Sequence, residues 1–133
     1  MFARKGSLIL MDTKGLKDIA ALIKATEYSL AGLRSAWNNE SAFRTECVLT
    51  LIMIPAGLWI GETAVQKALL VLTCLMVLTV ELLNSAIEAV VDRLGKDYHP
   101  LSKRAKDMGS AAVFISLIAT LAAWLIIIVA RFL

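Results

Sequence analysis

The chain has 133 residues, 59% of them hydrophobic, and this share is well above that of an ordinary soluble domain. Its formal charge of +3 is not accompanied by interleaved basic and aromatic residues, so the composition excludes a typical nucleic-acid-binding protein. It predicts an integral membrane protein whose basic residues meet anionic lipid or an anionic substrate.

The first segment in chain order, residues 1–15, is expected to be a flexible tail. Its apolar patch GSLILM is too short for the hydrophobic region of a signal peptide, and no small-residue cleavage site follows it. The rest of the chain, residues 16–133, is expected to form a single domain.

Residues 16–38 are predicted to form an amphipathic surface helix. At ~100° per residue, one apolar stripe collects residues at three- and four-residue spacing: Leu16, Ile19, Ile23, Thr26, Leu30, Leu33 and Trp37. Such a helix lies in the membrane interface, although the same pattern fits a helix packed on the protein's own surface. A bend into the next helix is expected between Asn38 and Ser41.

Three transmembrane helices are predicted next, at about residues 42–60, 64–91 and 107–130. The last has the clearest signal, because the 23 residues from Met108 to Ala130 carry no charge and at ~1.5 Å per residue cover a hydrocarbon layer of about 30 Å. The uncharged parts of the other two are shorter, so each must extend past a carboxylate, Glu46 in the first and Glu81 in the second. The predicted fold is an all-α membrane bundle.

The distribution of basic residues predicts the orientation of these spans. Of the fourteen lysines and arginines, twelve lie before the first span, at its start as Arg44 does, or between the second and third spans, and only Lys67 and Arg131 lie on the other side. The positive-inside rule therefore places the N-terminus in the cytoplasm and the C-terminus outside.

The second span contains an unusual polar stripe within ELLNSAIEAVVD. On a helix its five polar residues share one narrow face: Glu81, Asn84, Ser85, Glu88 and Asp92. Placing an ionised carboxylate in hydrocarbon costs on the order of several kcal/mol. The stripe must therefore face the bundle interior or a water-filled cleft. Glu40, at the start of the first span, could add a carboxylate at the same level.

Carboxylates near the cytoplasmic surface suit Mg²⁺, which takes one or two of them and completes its shell with water and phosphate oxygens. The nearby SKRAKDMGSAA supplies Lys103, Arg104 and Lys106 as charges for a polyphosphate, with Asp107 as a hydrogen-bond acceptor. Together these groups favour phosphoryl transfer over the alternative, a simple positive-inside anchor. The sequence contains no G-x-x-x-x-G-K-[ST] motif, so any ATP site must be built from the helices themselves.

The blocks ELLNSAIEAVVDRLGKDYH and LSKRAKDMGSAAV, together with LRSAWNNESAFRTE, resemble the small prokaryotic diacylglycerol kinase family from about Lys24 to the C-terminus. The resemblance implies a homotrimer of three-span chains, each with a surface helix, in the bacterial inner membrane. It also implies transfer of the γ-phosphoryl group of ATP, with Mg²⁺, to diacylglycerol, giving phosphatidic acid.

The resemblance further implies roles for individual residues. Glu81 matches the general base, and Glu40 and Glu88 match the metal-binding acids beside the nucleotide. Other matches to nucleotide-binding positions are Tyr28, Asp97, Tyr98, His99, Lys106 and Asp107. The matches on the lipid side are Arg34, Trp37, Glu46, Asn84 and Ser110.

Two departures and two alternatives accompany this interpretation. Ala21 stands where some members have an arginine that reaches the nucleotide, and Leu30 stands where some have tryptophan. One alternative acceptor is undecaprenol, which relatives of this fold phosphorylate. A more distant alternative is a non-enzymatic, channel-like oligomer lined by Glu81 and Glu88.

Overall fold

In the computed structural model, the backbone is described for residues 4–133 and the side chains for residues 15–133. Four helices make up the described chain: α1 Arg4–Asn39, α2 Ser41–Ile60, α3 Ala64–Arg93 and α4 Pro100–Phe132. The all-α prediction is therefore confirmed. The chain divides into two compact units, Met1–Asn38 and Asn39–Leu133, and α2, α3 and α4 belong to the second.

Helix α1 begins at Arg4, twelve residues before the predicted start at Leu16. No proline interrupts residues 4–15, so nothing in their covalent structure stops the helix. The flexibility expected for residues 1–15 stays a prediction, and residues 1–3 lie outside the described part. Along the apolar stripe the large side chains are exposed by 45–61%, as in Leu16 and Leu33, which suits a membrane interface.

The predicted break between α1 and α2 lies at Glu40. This residue has extended backbone angles, φ −110° and ψ 111°, and α2 begins directly after it. Glu40 is thus fixed at the N-terminus of α2, where the unpaired N–H groups and the positive end of the helix dipole favour a carboxylate.

Three of the described helices, α2, α3 and α4, are long and apolar enough to cross a membrane. Helix α3 packs against both of the others, whereas α2 and α4 touch each other little. Thr63 and Gln66 form a capping box at the start of α3: Gln66 N donates to Thr63 Oγ1 at 3.2 Å, and Gln66 Oε1 accepts from Thr63 N at 3.1 Å. These bonds fix where α3 turns back from α2.

The apolar core lies at the end of the bundle where α2 and α3 are joined. Its buried residues are Leu70 and Cys74 on α3 with Trp124 and Ile127 on α4, and Gly57 of α2 packs against Leu70 and Trp124. Towards the other end, buried polar residues appear on α4 at Thr120 and Ser116 and then on α3 at Glu81. The core therefore holds the helices together without occupying the region of the carboxylates.

Helix α4 starts seven residues before the predicted residue 107. Pro100 occupies its first turn, and Leu101 N donates to His99 Nδ1 at 3.2 Å, which caps the helix. Gly95, at φ 125°, supplies the turn that reverses the chain after α3. The charged residues 103–107 therefore lie on the first two turns of α4 and not in a loop.

Candidate active site

A polar cleft of about 270 Å³ lies among α2, α3 and α4 in the half of the bundle away from the apolar core. Its polar lining consists of Glu40 and Ser41 at the start of α2, Glu81, Asn84 and Glu88 on α3, and Ser110 on α4. The structure thus brings together five of the residues singled out from the sequence: Glu40, Glu81, Asn84, Glu88 and Ser110. These residues come from three helices, so their proximity depends on the packing of the bundle.

Helical geometry explains which part of the polar stripe enters the cleft. At ~100° per residue, Asn84 and Glu88 lie about 60° and 20° to one side of Glu81, whereas Ser85 lies about 40° to the other. Glu81, Asn84 and Glu88 line the cleft, and Ser85 does not. Ser85 Oγ is buried and has no hydrogen-bond partner among the described residues.

The cleft concentrates negative charge. Glu81 is only 6% exposed, and its carboxylate lies close enough to those of Glu88 and Glu40 to be repelled by both. Crowded carboxylates of this kind are stabilised by a bound cation or by protonation. Oxygen-only donors suit Mg²⁺ among the common metal ions.

Glu40 and Glu88 would hold such an ion together with substrate oxygens. No three His, Cys, Asp or Glu side chains converge as a complete metal site within residues 15–133. Two carboxylates are nevertheless what Mg²⁺ typically takes from a protein when phosphate groups and water fill its other positions. The donor set therefore fits a metal that arrives with a nucleotide better than one held permanently.

Asn84 orients one of these carboxylates. Its Nδ2 donates to Glu88 Oε1 at 3.2 Å, across one turn of α3. The other amide atom, Oδ1, is buried and accepts no hydrogen bond from any described residue. Ser110, by contrast, is exposed on α4 and is accessible to a ligand in the cleft.

A second, larger cavity of about 690 Å³ lies at the end of the bundle where α3 turns into α4. Four of the predicted nucleotide-binding residues line it: Asp97, Tyr98, His99 and Lys106. Asp92, Lys96 and Lys103 line it too, so the cavity combines three ammonium groups with acceptors. This mixture suits a polyphosphate attached to a polar base.

Two ion pairs hold the charged groups of this cavity in place. Lys106 Nζ lies 2.6 Å from Asp92 Oδ1, joining α4 to α3, and Lys103 Nζ lies 2.5 Å from Asp107 Oδ2 along α4. Asp107 does not line the cavity. Both pairs are well exposed to solvent, so each is weak and open to exchange with another charged partner.

The remaining predicted residues lie elsewhere. Glu46, on α2, is half-buried near Glu81, and its Oε2 has no partner among the described residues. Tyr28, Arg34 and Trp37 lie on α1, in the other compact unit, and their relation to the cleft stays a prediction.

Two features of the site were not singled out from the sequence. One is the pairing of Asp92 with Lys106, which joins residues on different helices. The other is Gly109, a buried glycine of α4 that lies against Asn84. A glycine just before Ser110, in an otherwise regular helix, was the signal that could have pointed to a close helix contact.

Comparison with known proteins gives a consistent result. A family model described as prokaryotic diacylglycerol kinase matches residues 27–128, which include the cleft and the cavity. A diacylglycerol kinase from Escherichia coli (strain K12) is 50% identical over 111 residues, 84% of this chain and 91% of the relative. One from Haemophilus influenzae is 55% identical over 96 residues, covering 72% and 81%, and one from Pseudomonas aeruginosa is 46% identical over 111 residues, covering 84% and 90%.

Proposed function

Since this chain belongs to the prokaryotic diacylglycerol kinase family, we propose that it transfers the γ-phosphoryl group of ATP to the free hydroxyl of diacylglycerol, giving phosphatidic acid. The observation that carries the proposal is the cleft in which Glu81 meets Glu40 and Glu88. Glu81 and Glu88 lie on α3, a helix apolar enough to cross a membrane. A lipid hydroxyl and a nucleotide can meet there, because the cleft lies between the apolar core and the charged cavity.

Glu81 acts as the general base in this proposal. The hydroxyl oxygen of the lipid attacks the γ-phosphorus, the bond to the β–γ bridging oxygen breaks, and ADP leaves. The hydroxyl proton passes to the carboxylate of Glu81. Burial shields the carboxylate of Glu81 itself from bulk water.

Glu40 and Glu88 would hold a magnesium ion at the nucleotide end of the cleft. Such an ion would supply positive charge to offset the negative charge of the phosphate oxygens. Glu88 lies seven residues from Glu81 along α3, about 10 Å at ~1.5 Å per residue. One helix therefore carries both the acceptor end and the metal end of the site.

The cavity beyond the cleft receives the rest of the nucleotide. Lys106 provides an ammonium group for the phosphates, and Asp97, Tyr98 and His99 supply polar contacts. His99 Nδ1 already accepts a hydrogen bond from Leu101 N, so a neutral His99 carries its proton on Nε2 and offers that atom as a donor. Asp107, and Tyr28 from α1, complete the proposed nucleotide set.

The lipid side of the site is proposed to include Glu46, Asn84 and Ser110, with Arg34 and Trp37 from α1. Glu46 supports this assignment, because an orphaned carboxylate oxygen near Glu81 leaves an acceptor for a hydroxyl of the headgroup. Trp37 suits the interface, where an indole ring sits among headgroups.

The chain is proposed to work as a homotrimer in the bacterial inner membrane. Its N-terminus and the turn between α3 and α4 face the cytoplasm, where ATP is available, and its C-terminus faces outward. An assembly of copies is supported by the openness of the cleft, since three helices enclose it poorly, and a neighbouring copy could close it.

The test is phosphate transfer from labelled ATP with Mg²⁺ in detergent micelles. Diacylglycerol and undecaprenol are supplied separately to the wild type and to Glu81→Gln. Labelled phosphatidic acid from the wild type but not from the variant supports the proposal. Product on undecaprenol alone would assign the chain to polyprenol phosphorylation, and no product on either acceptor would favour the channel-like alternative.

A further inference from the structure

At Gly109, α4 lies directly against the polar face of α3. A Cβ atom added to Gly109 would overlap Asn84 Oδ1 and would lie 3.3 Å from Asn84 Cγ. The neighbours of Gly57 are different, since its added Cβ would meet Leu70 Cβ at 3.0 Å and the Trp124 ring at 3.3 Å. Gly57 therefore makes room for the apolar core, whereas Gly109 makes room for one polar side chain of the cleft.

The carboxamide of Asn84 is held from two sides. On one side its Nδ2 donates to Glu88 Oε1 at 3.2 Å. On the other side Oδ1 faces Gly109 and is buried, with no hydrogen bond from any described residue. The reverse orientation would bring Oδ1 against the carboxylate of Glu88, two acceptors in contact, so an ionised Glu88 selects the orientation observed.

This orientation depends on the missing side chain at position 109. Asn84 Oδ1 has room only because Gly109 has no Cβ atom. At close contacts between helices, a Cα–H group can act as a weak hydrogen-bond donor to such an oxygen. Any other residue would push the amide away from α4 and turn its Nδ2 away from Glu88.

We infer that Gly109 is a positioning residue that, through Asn84, fixes the carboxylate of Glu88 in the geometry required for metal binding. The inference rests on the proposed function in one respect, the assignment of Glu88 as a metal ligand. Mg²⁺ demands nearly ideal octahedral geometry, so a turned carboxylate binds it poorly. Changing a residue that orients a metal ligand typically weakens metal affinity by roughly 10–100-fold.

The experiment measures Mn²⁺ binding to the purified full-length protein in detergent. Mn²⁺ replaces Mg²⁺ because free Mn²⁺ gives an electron paramagnetic resonance signal. A non-hydrolysable ATP analogue is present throughout, and because the analogue itself binds Mn²⁺, binding to the protein is the loss of signal beyond that in a protein-free sample with the same analogue. Four variants are compared with the wild type: Gly109→Ala, Asn84→Ala, the double variant Asn84→Ala/Gly109→Ala, and Gly57→Ala. The last is the matched control, because it adds the same methyl group to a crowded helix contact far from the carboxylates.

We expect Gly109→Ala to weaken Mn²⁺ binding by roughly tenfold or more and Asn84→Ala to weaken it similarly. In the double variant the added methyl group meets no carboxamide, so it should bind Mn²⁺ no more weakly than Asn84→Ala alone. Gly57→Ala should lower thermal stability without changing Mn²⁺ affinity. The non-additive effect of Gly109→Ala and Asn84→Ala on Mn²⁺ affinity distinguishes positioning through Asn84 from a general loosening of the bundle.

Two results would overturn the inference. One is unchanged Mn²⁺ affinity in Gly109→Ala. The other is a double variant in which Gly109→Ala weakens Mn²⁺ binding by the same factor as it does in the wild type. If Gly109→Ala does not fold, Asn84→Ala is the deciding variant, because it introduces no clash. Unchanged Mn²⁺ affinity in Asn84→Ala would show that the Asn84 amide does not orient Glu88. Failure of the proposed function looks different, since the wild type itself would then bind no Mn²⁺ with the analogue.

Discussion

Lys106 Nζ lies 2.6 Å from Asp92 Oδ1, so the ammonium group proposed to meet the nucleotide is already paired with a carboxylate. The pair joins the last turn of α3 to the second turn of α4 and lines the larger cavity. Asp92 is 65% exposed, and an ion pair this exposed contributes little stability. We therefore expect an incoming nucleotide to compete with Asp92 for the ammonium group of Lys106.

Removing this competing carboxylate should improve nucleotide binding. We expect Asp92→Asn to lower the KM for ATP by about two- to fivefold, the range that corresponds to an exposed ion pair of about 0.4–1 kcal/mol. The measurement is initial rate against ATP concentration at fixed diacylglycerol, with Glu62→Gln, an exposed carboxylate at the opposite end of α3, as the control. A higher KM in Asp92→Asn would mean that Asp92 positions Lys106 and does not compete for it.

Glu81→Gln should remove the proposed base while keeping the shape of its side chain. We expect kcat to fall by roughly 10²–10⁴-fold, the usual contribution of a positioned base. Binding of a non-hydrolysable ATP analogue should persist, because Glu81 lies about 10 Å from Glu88 along the helix. Titration of the analogue beside the turnover assay separates the two effects.

The control for Glu81→Gln is again Glu62→Gln, which makes the same chemical change outside the cleft and should leave kcat unchanged. Turnover of Glu81→Gln close to that of the wild type would show that the proton goes elsewhere. Loss of analogue binding together with turnover would indicate a structural role for Glu81 instead of base catalysis.

Glu88→Gln should change the requirement for magnesium. An amide is a weaker ligand than a carboxylate for Mg²⁺, so the Mg²⁺ concentration for half-maximal rate should rise by roughly tenfold or more. Rates measured over a range of Mg²⁺ at saturating ATP give this value. Glu40→Gln should act in the same direction, whereas a normal Mg²⁺ requirement in both variants would contradict their assignment as metal ligands.

Much of the fold follows from hydropathy and helical period, but the ends of the helices do not. An uncharged run reports only the part of a helix that lies in hydrocarbon, so it predicts a start near residue 107 for α4, which begins at Pro100. The first turns of α4 are charged, so a search for uncharged runs leaves them out. Their helical state depends on the proline and on the His99 cap, which are local signals that hydropathy does not include.

Helical period alone predicted the composition of the cleft only within α3, whereas Glu40 was expected from its place at the start of the first span and Ser110 from the family resemblance. Glu81, Asn84 and Glu88 share a face by period alone, and the structure places them together. Contacts between helices have no such rule. The pairing of Asp92 with Lys106, and the approach of Gly109 to Asn84, depend on how α3 and α4 are set against each other, and the spacing of residues along one helix carries no information about that.

Arg131 joins two helices at the opposite end of the bundle from the ion pair of Lys106 and Asp92. Its guanidinium group donates hydrogen bonds to the carbonyl oxygens of Trp59 and Ile60 at the C-terminus of α2, and it lies 5.2 Å from the centre of the Trp59 ring. The last carbonyls of a helix have no partners within it, and a cation there also interacts favourably with the helix dipole. Arg131 therefore fastens the end of α4 to the end of α2, two helices that otherwise touch little.

Arg131→Ala should weaken the bundle without affecting catalysis. We expect the free energy of unfolding to fall by about 1–2 kcal/mol, since hydrogen bonds from a charged donor and a cation–π contact are lost together. The measurement is thermal unfolding in detergent, with Arg104→Ala, an exposed arginine of the same helix, as the control that should leave stability unchanged. The KM for ATP and kcat of Arg131→Ala should equal those of the wild type at a temperature where both proteins are folded. A large loss of turnover at that temperature would mean that the two ends of the bundle are coupled, because the proposed site residues on α2, α3 and α4 lie at the end away from Arg131.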